Sequence, residues 1–253
     1  QTAPGPLLVP GGMQYLQGAM VVAMSDAAAA ESGAHMIRLE GPGIERGSFT
    51  FAAGGNGADV ATGGLGTMPA TYIPIGIKVR EAQEILVFAE MLGTDLGTST
   101  ASVTLVFGTE PGVGGEVKGE VTVEGEVTAV DTLTRLTTQG SVASPSRLTP
   151  PDATKIQRVI VASSTDGGAA GQAAMVLRLS GDAIKGGEQT FTFAGHTSQT
   201  VQTGSDAAPS IMPPVVFDDL DIEITSNETL DIAVEMVGTD VGDTTNVVTV
   251  IFA

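Results

Sequence analysis

The sequence predicts an all-β protein with two tandem β-sandwich domains of the jelly-roll-like kind, produced by an internal duplication. Three observations lead to this fold class. Gly (34 residues) and Pro (13 residues) break a chain of 253 residues into short apolar segments. Many of these segments alternate polar and apolar residues, and the two halves of the chain resemble each other. Such a composition favours strands joined by turns over long helices.

The repeat is clearest near the end of each half. Residues 90–97 read EMLGTDLG, and residues 235–242, 145 positions later, read EMVGTDVG. A strand-like segment follows each motif at the same spacing, 103–107 in the first half and 248–252 in the second. Self-similarity at a fixed spacing indicates a repeated structural unit.

Upstream of this motif the spacing shrinks as small insertions are passed. We match 49–51 with 191–193, 37–39 with 177–179, and 21–23 with 160–162. The predicted organisation is an N-terminal arm, two sandwich copies and a β-rich linker between them. These four segments are, in chain order, 1–18, 19–108, 109–155 and 156–253.

Within each copy, the elements follow from local pattern. Segments 48–51 and 189–193 alternate polar and apolar residues, which is typical of half-buried strands. The Gly-Thr-Asp-x-Gly segments lie between strand-like runs and are predicted to be hairpin turns. A calcium loop is the alternative, but one carboxylate in each turn falls far short of the roughly six to eight oxygens that calcium takes.

The linker contains a strictly alternating ribbon. In residues 116–127 every charged residue has an even number and every Val an odd one, so one face is charged and the other apolar. This ribbon is expected to cover either its own domain or a neighbouring subunit. The Pro-rich residues 144–151 mark the boundary before the second copy, and the arm is expected to lie on a partner. The start at Gln1 suggests that a preceding segment was removed.

Charge and composition exclude several functions. The formal net charge of −18 would repel phosphate, so direct binding to nucleic acid is not expected. The chain has no Cys, hence no disulfide framework and no thiolate metal site. Its apolar runs are shorter than the roughly 18 residues that a membrane-spanning helix needs.

Residues that could carry chemistry are few. The two histidines, His35 and His196, lie outside any nucleophile or zinc motif, so we predict a protein that is not an enzyme and has no cofactor. Three carboxylates at spacing two, Asp219, Asp221 and Glu223, form a candidate cation site. The favoured interpretation of these acids is a solvated strand face, because the first copy has no acids at the corresponding positions.

Charged residues that recur in both copies are more informative. Arg38 and Glu90 in the first copy correspond to Arg178 and Glu235 in the second. We therefore predict a structural cross-strand ion pair in each domain, Arg38 with Glu90 and Arg178 with Glu235.

The repeated sandwich, the arm and the acidity together resemble virion shell proteins of the jelly-roll or β-sandwich kind, including decoration proteins bound outside a capsid. This resemblance is architectural and depends on the repeat of 19–108 in 156–253. It implies a self-assembling structural protein at the virion surface, with partners that are other copies of itself and other shell proteins. A trimer with a pseudo-sixfold arrangement of domains is one such assembly.

Two other functions stay open on the sequence. The main rival is a secreted subunit of an extracellular filament or cell-surface layer, in which the arm adds a strand to the next subunit. The third is a monomeric binding module for a small ligand, which predicts a pocket with convergent polar groups.

Overall fold

The computed structural model describes residues 6–25, 31–58, 70–93, 99–140, 146–165, 171–198 and 211–253. The protein is all-β, and these ranges contain no helix, hence none that could span a membrane. The strands, in chain order, are β1 (Leu7–Leu8), β2 (Tyr15–Ser25), β3 (Glu31–Glu40), β4 (Ser48–Ala58), β5 (Thr71–Lys78), β6 (Glu84–Gly93), β7 (Ser99–Gly108), β8 (Gly119–Val127), β9 (Leu133–Arg135), β10 (Lys155–Thr165), β11 (Gly171–Ser180), β12 (Gln189–Ser198), β13 (Ile211–Met212), β14 (Val215–Phe217), β15 (Ile222–Glu223), β16 (Asp231–Gly238) and β17 (Thr244–Phe252).

The strands form four antiparallel sheets. Strands β1 to β7 make the first unit, with sheet orders β5-β2-β7 and β1-β6-β3-β4-β13, where β13 is added from the second half of the chain. Strands β10 to β12 and β14 to β17 make the second unit. Its sheets are β14-β10-β17-β8, with β15 also on β10, and β12-β11-β16-β9. The linker strands β8 and β9 therefore belong to the sheets of the second unit.

Strand pairing in the two units corresponds closely. Strand β2 lies between β5 and β7 as β10 lies between β14 and β17, and β3 lies between β4 and β6 as β11 lies between β12 and β16. The two units also share an irregularity in strand pairing. The register shifts by one residue between Leu16 and Gly18 in β2, and it shifts in the same way between Ile156 and Arg158 in β10. Counterparts in these strands are thus 140 positions apart, as Leu16 and Ile156 are.

This register corrects two of the sequence matches. Val21 is opposite Val103, and Val161 is opposite Val248, so the counterpart of Val21 is Val161. In the same way, Phe51 pairs with Ile37 and Phe191 pairs with Leu177, which makes Phe51 the counterpart of Phe191. A shift of two residues keeps a Phe-x-Phe pattern on the same face, so apolar alternation alone cannot detect it.

The described part of the predicted arm is built into the first unit. Leu7 and Leu8 pair with β6, Val9 is buried in the core, and β2 already begins at Tyr15. Leu148 makes the corresponding bridge to Thr229 in the second unit, 140 positions after Leu8. The strand pairing that the two units share therefore includes residues before 19, and single backbone bridges leave little trace in the hydrophobic pattern. Residues 1–5 lie outside the described residues.

The alternating ribbon covers its own chain. Strand β8 pairs along the whole of β17, and its Val residues enter the core of the second unit. Its even-numbered residues Glu120 and Thr122 point the other way and bond to the first unit. The two faces predicted for the ribbon thus contact the two units separately.

The sheets stack in four layers. Ile160 and Val247, on one face of the β10–β17 sheet, belong to the core of the first unit, whereas Val161 and Val248, on the opposite face, belong to the core of the second. All nine residues of β17 are consequently buried. Sheets covered on both sides read as nearly continuous apolar segments, as residues 247–252 do.

Candidate functional site: the contact between the two units

A fully buried guanidinium joins the units to the linker. Arg158 has 0% exposure, and its Nε and Nη2 lie 2.9 and 2.8 Å from Oδ1 of Asp218. Its Nη1 donates to the carbonyl of Pro74 in the first unit, at 2.9 Å, and Nη2 donates to the carbonyl of Val113 in the linker, at 3.0 Å. A buried charge needs a partner of opposite charge and further hydrogen bonds, and Arg158 has both.

The free side of strand β4 is satisfied by side chains from the second unit and the ribbon. The backbone N–H of Thr50 donates to Oε1 of Glu120, and the carbonyl of Thr50 accepts from Oγ1 of Thr122, both at 3.0 Å. The N–H of Ala52 donates to Oγ1 of Thr249 at 3.0 Å. An edge strand that would otherwise present unpaired backbone groups is thereby covered. Burial in this contact raises the pKa of Glu120 to about 7.

Further along the same edge, the backbones of the two units come into direct contact. Strand β13 pairs with β4 at Gly55 and Asn56, and Oγ of Ser164 donates to the carbonyl of Gly33 at 2.8 Å. A Cβ atom on Gly55 would overlap the carbonyl oxygen of Ser163. Glycine at position 55 therefore permits the close approach of β4 to β10.

Both histidines are buried in the interiors of the units. Nε2 of His196 lies 3.1 Å from Oγ of Ser163, which donates to Oδ1 of Asn246 at 2.8 Å. Burial lowers the pKa of His35 and of His196 to about 4, so both rings are neutral at pH 7. Ser163, His196 and Asn246 are each at most 2% exposed, so a substrate cannot reach this group without opening the fold.

The recurring charged residues make ion pairs in both units. Nη2 of Arg178 lies 2.6 Å from Glu235 and Nη1 lies 2.8 Å from Glu188. In the first unit, Arg38 lies 2.9 Å from Glu40 and its guanidinium is 5.2 Å from the centre of the Phe88 ring. The carboxylate of Glu90 lies beside Gly140 of the linker. A pair between Arg38 and Glu90 stays a prediction.

The candidate cation residues are not on one strand. Strand β14 ends at Phe217 and β15 contains only Ile222 and Glu223, while Asp219 has a φ of 53° in the bend between them. Asp221 pairs with Lys155 at 3.2 Å. Within the described ranges, no three His, Asp or Glu side chains are grouped to hold a metal ion. The acid of this segment that contacts a buried residue is Asp218, which pairs with Arg158. The sequence gave no signal for this pair, because Arg158 is a lone charge in a strand-like segment.

One cleft opens at the junction of the first unit with the linker. It has a volume of about 310 Å³ and is lined by residues that include Ile44, Phe49, Lys78, Glu116 and Lys118. Glu116 is shared between the two lysines, at 3.0 Å from Lys78 and 2.8 Å from Lys118. The two lysines hold the pKa of Glu116 below its ordinary value. The charges of Lys78, Glu116 and Lys118 are thus already paired within the chain.

Comparison with known proteins gives distant structural similarities only. No family model and no curated protein matches the sequence. A cryo-EM structure of broad bean stain virus aligns at 9% identity over 93% of this chain and 76% of that chain, with a TM-score of 0.29. The PBSX exported protein XepA aligns at 11% identity over 99% and 86%, with a TM-score of 0.19. A structure of infectious bursal disease virus, Gx strain, aligns at 10% identity over 95% and 58%, with a TM-score of 0.25. TM-scores this low do not establish a shared fold, and the function has to be argued from the chain itself.

Proposed function

We propose that this chain is a self-assembling structural protein of a virion outer shell, as a capsid component or as a decoration protein bound to a capsid. We further propose that its two units are tandem jelly-roll-like sandwich domains from an internal duplication. The observation that carries the proposal is the four-layer stack, in which two units with the same strand order pack face to face. Two similar units in one chain can occupy quasi-equivalent places in a regular assembly.

The buried polar groups support a structural function. Arg158, Glu120 and Thr122 each bond to the first unit, and Asp218 pairs with Arg158 inside the second unit. Groups buried in this way hold the stack together and do not face a cavity where a substrate could bind. We accordingly propose that the protein is not an enzyme and works without a cofactor.

The charge supports a position on the outside of the particle. A chain with 29 acidic residues and 11 basic ones is repelled by packaged nucleic acid, whereas an outer surface in water accommodates it. Its partners would be further copies of itself and other shell proteins, as in a ring of three chains with six similar units.

A subunit of an extracellular filament or cell-surface layer is the second candidate. It is favoured by the stacked architecture, because a stack with unlike ends can also be extended without closing. A monomeric binding module would depend on the cleft between Lys78 and Lys118, whose charges are already paired with Glu116.

Negative-stain electron microscopy of the native source material, with the protein located by an antibody, tests the proposal. Label on closed shells is the expected result. Label along fibres or sheets would replace the proposal with the filament, and label on dispersed single molecules would contradict both assemblies.

A further inference from the structure

The contact inside the chain joins two unlike surfaces. We name the outward side of the sheet that contains β3 or β11 the upper face of its unit, and the outward side of the sheet that contains β2 or β10 the lower face. In the chain, the upper face of the first unit packs on the lower face of the second. The residues that meet there are at most 5% exposed: Ala34, Met36, Ala52 and Leu92 from the upper face, and Ile160, Ala162, Val247, Thr249 and Ile251 from the lower face.

Each unit carries the counterpart of both faces, so one of each is left at the two ends of the stack. The strand register assigns these counterparts residue by residue. The upper face of the second unit contains Ala174, Val176, Thr192 and Val237, and it also carries the ion pair of Arg178 with Glu235. The lower face of the first unit consists of Met20, Val22, Ser102, Thr104 and Val106, with Tyr72 beside Met20.

Both end faces expose apolar side chains among polar ones. Met20 and Tyr72 are each 43% exposed, and Val237 is 41% exposed, whereas Leu92, the counterpart of Val237, is 5% exposed. Large apolar side chains grouped on one sheet face at this exposure are typical of an interaction surface.

The end faces repeat the apolar part of the buried contact but not its ion pair, since Gly18 stands where the second unit has Arg158. Met20 stands where the second unit has Ile160, Val106 stands where it has Ile251, and Thr104 stands where it has Thr249. The hydroxyl of Thr249 accepts the N–H of Ala52, and the counterpart of Ala52 is Thr192. The same hydrogen bond can therefore form between Thr104 of one molecule and the backbone of Thr192 in another.

Gly195 is a further indication that another molecule contacts the upper face of the second unit. Its counterpart is Gly55, where a side chain would overlap the carbonyl of Ser163 across the contact between units. At Gly195 a Cβ atom would meet nothing within 4 Å, and its φ is not positive, so nothing described in the chain requires glycine there. Glycine would be needed at position 195 if the backbone of Ala23 from another molecule approached it closely. Gly55 is needed for the same reason, because the backbone of Ser163 approaches it within the chain.

We propose that the upper face of the second unit packs on the lower face of the first unit of another copy, so that molecules associate head to tail. The inference rests on the proposed self-assembly and names the surface that performs it. A second copy is the occupant because this chain already carries the matching face of each end and pairs such faces internally. Head-to-tail contacts close into a ring or continue as a filament, depending on the rotation between copies.

Sedimentation velocity of the full chain tests the proposal with two substitutions on exposed residues. Met20→Glu places a charge on the lower face of the first unit, and Val237→Glu places one on the upper face of the second. The wild-type protein should associate, and each variant alone should associate at least about tenfold more weakly, because a charge buried in an apolar contact is costly. An equimolar mixture should form a one-to-one dimer, since each variant keeps the face that the other needs.

A second measurement does not depend on charge. The chain has no Cys, so Thr104→Cys with Thr192→Cys introduces the only thiols, and the proposal predicts disulfide-linked multimers on oxidation. Thr104→Cys with Thr128→Cys is the control, since Thr128 lies between β8 and β9 and belongs to neither face. Unchanged circular dichroism and melting temperature would show that the variants fold.

A monomeric wild-type protein, a mixture that stays monomeric, or equal cross-linking of both Cys pairs would overturn the inference. These outcomes are separate from those of the labelling experiment. Labelled shells together with a monomeric purified protein would leave the proposed function standing and remove this contact.

Discussion

At the scale of single residues, the ion pair between Arg158 and Asp218 is the interaction whose loss should cost most. Asp218→Ala leaves a fully buried guanidinium without its counter-charge, which typically costs about 3–5 kcal/mol. We expect a lower free energy of unfolding by about 3 kcal/mol in urea titrations. Asp221→Ala is the matched control, because Asp221 is exposed and its pair with Lys155 should contribute less than about 1 kcal/mol. Equal effects of the two substitutions would contradict the role of Arg158.

Glu120 should make stability depend on pH. Its pKa is about 7 in the fold against an ordinary 4.5, so the folded protein holds this proton more tightly than the unfolded chain. The stabilisation is complete below pH 4.5 and is lost as the pH rises to about 7. Glu120→Gln should therefore match the wild-type free energy of unfolding at pH 4.5 and exceed it by about 2–3 kcal/mol at pH 8.

The two buried histidines change the stability with pH in the opposite direction to Glu120, and they serve as an internal control. The pKa of each lies near 4 in the fold, below the ordinary 6.5, so their contribution to stability is lost as the pH falls from 6.5 towards 4. Both proteins carry the two rings, and the effect cancels in the difference between variant and wild type. A difference that does not change between pH 4.5 and pH 8 would show that Glu120 is ionised normally.

At the scale of the elements, the approach of β4 to β10 depends on one glycine. Gly55→Ala places a methyl group against the carbonyl of Ser163, and we expect a loss of at least about 2 kcal/mol in the free energy of unfolding. Gly195→Ala is the matched control, because its counterpart position on β12 has nothing within 4 Å. Urea unfolding of dilute protein measures both. A smaller effect at position 55 than at position 195 would contradict the described contact.

The elements also show what sequence can predict. Strand composition, turn residues and alternation predicted the all-β class, and the parity of the ribbon separated the Val face of β8 from its charged face. Register was harder, because the Phe-x-Phe pattern of β4 and β12 tolerates a shift of two residues. The importance of Arg158 and Gly55 was not predictable, since both depend on how two units separated by a linker come together in space.

At the scale of the whole molecule, the net charge of −18 should govern assembly. Copies of an acidic chain repel one another, and salt screens that repulsion over a Debye length of roughly 10 Å at 0.1 M. The apolar end faces keep their attraction in salt. We therefore expect tighter association at 0.5 M than at 0.05 M sodium chloride in a concentration series by light scattering. Weaker association in high salt would indicate a contact held by ion pairs instead.

In our proposal the apolar contact between the units of a chain is made a second time between chains. Sedimentation velocity of Met20→Glu and Val237→Glu, separately and mixed, tests it most directly. We expect two monomeric variants whose equimolar mixture sediments as a dimer and grows no further. A mixture that stays monomeric, or variants that still assemble like the wild type, would contradict it.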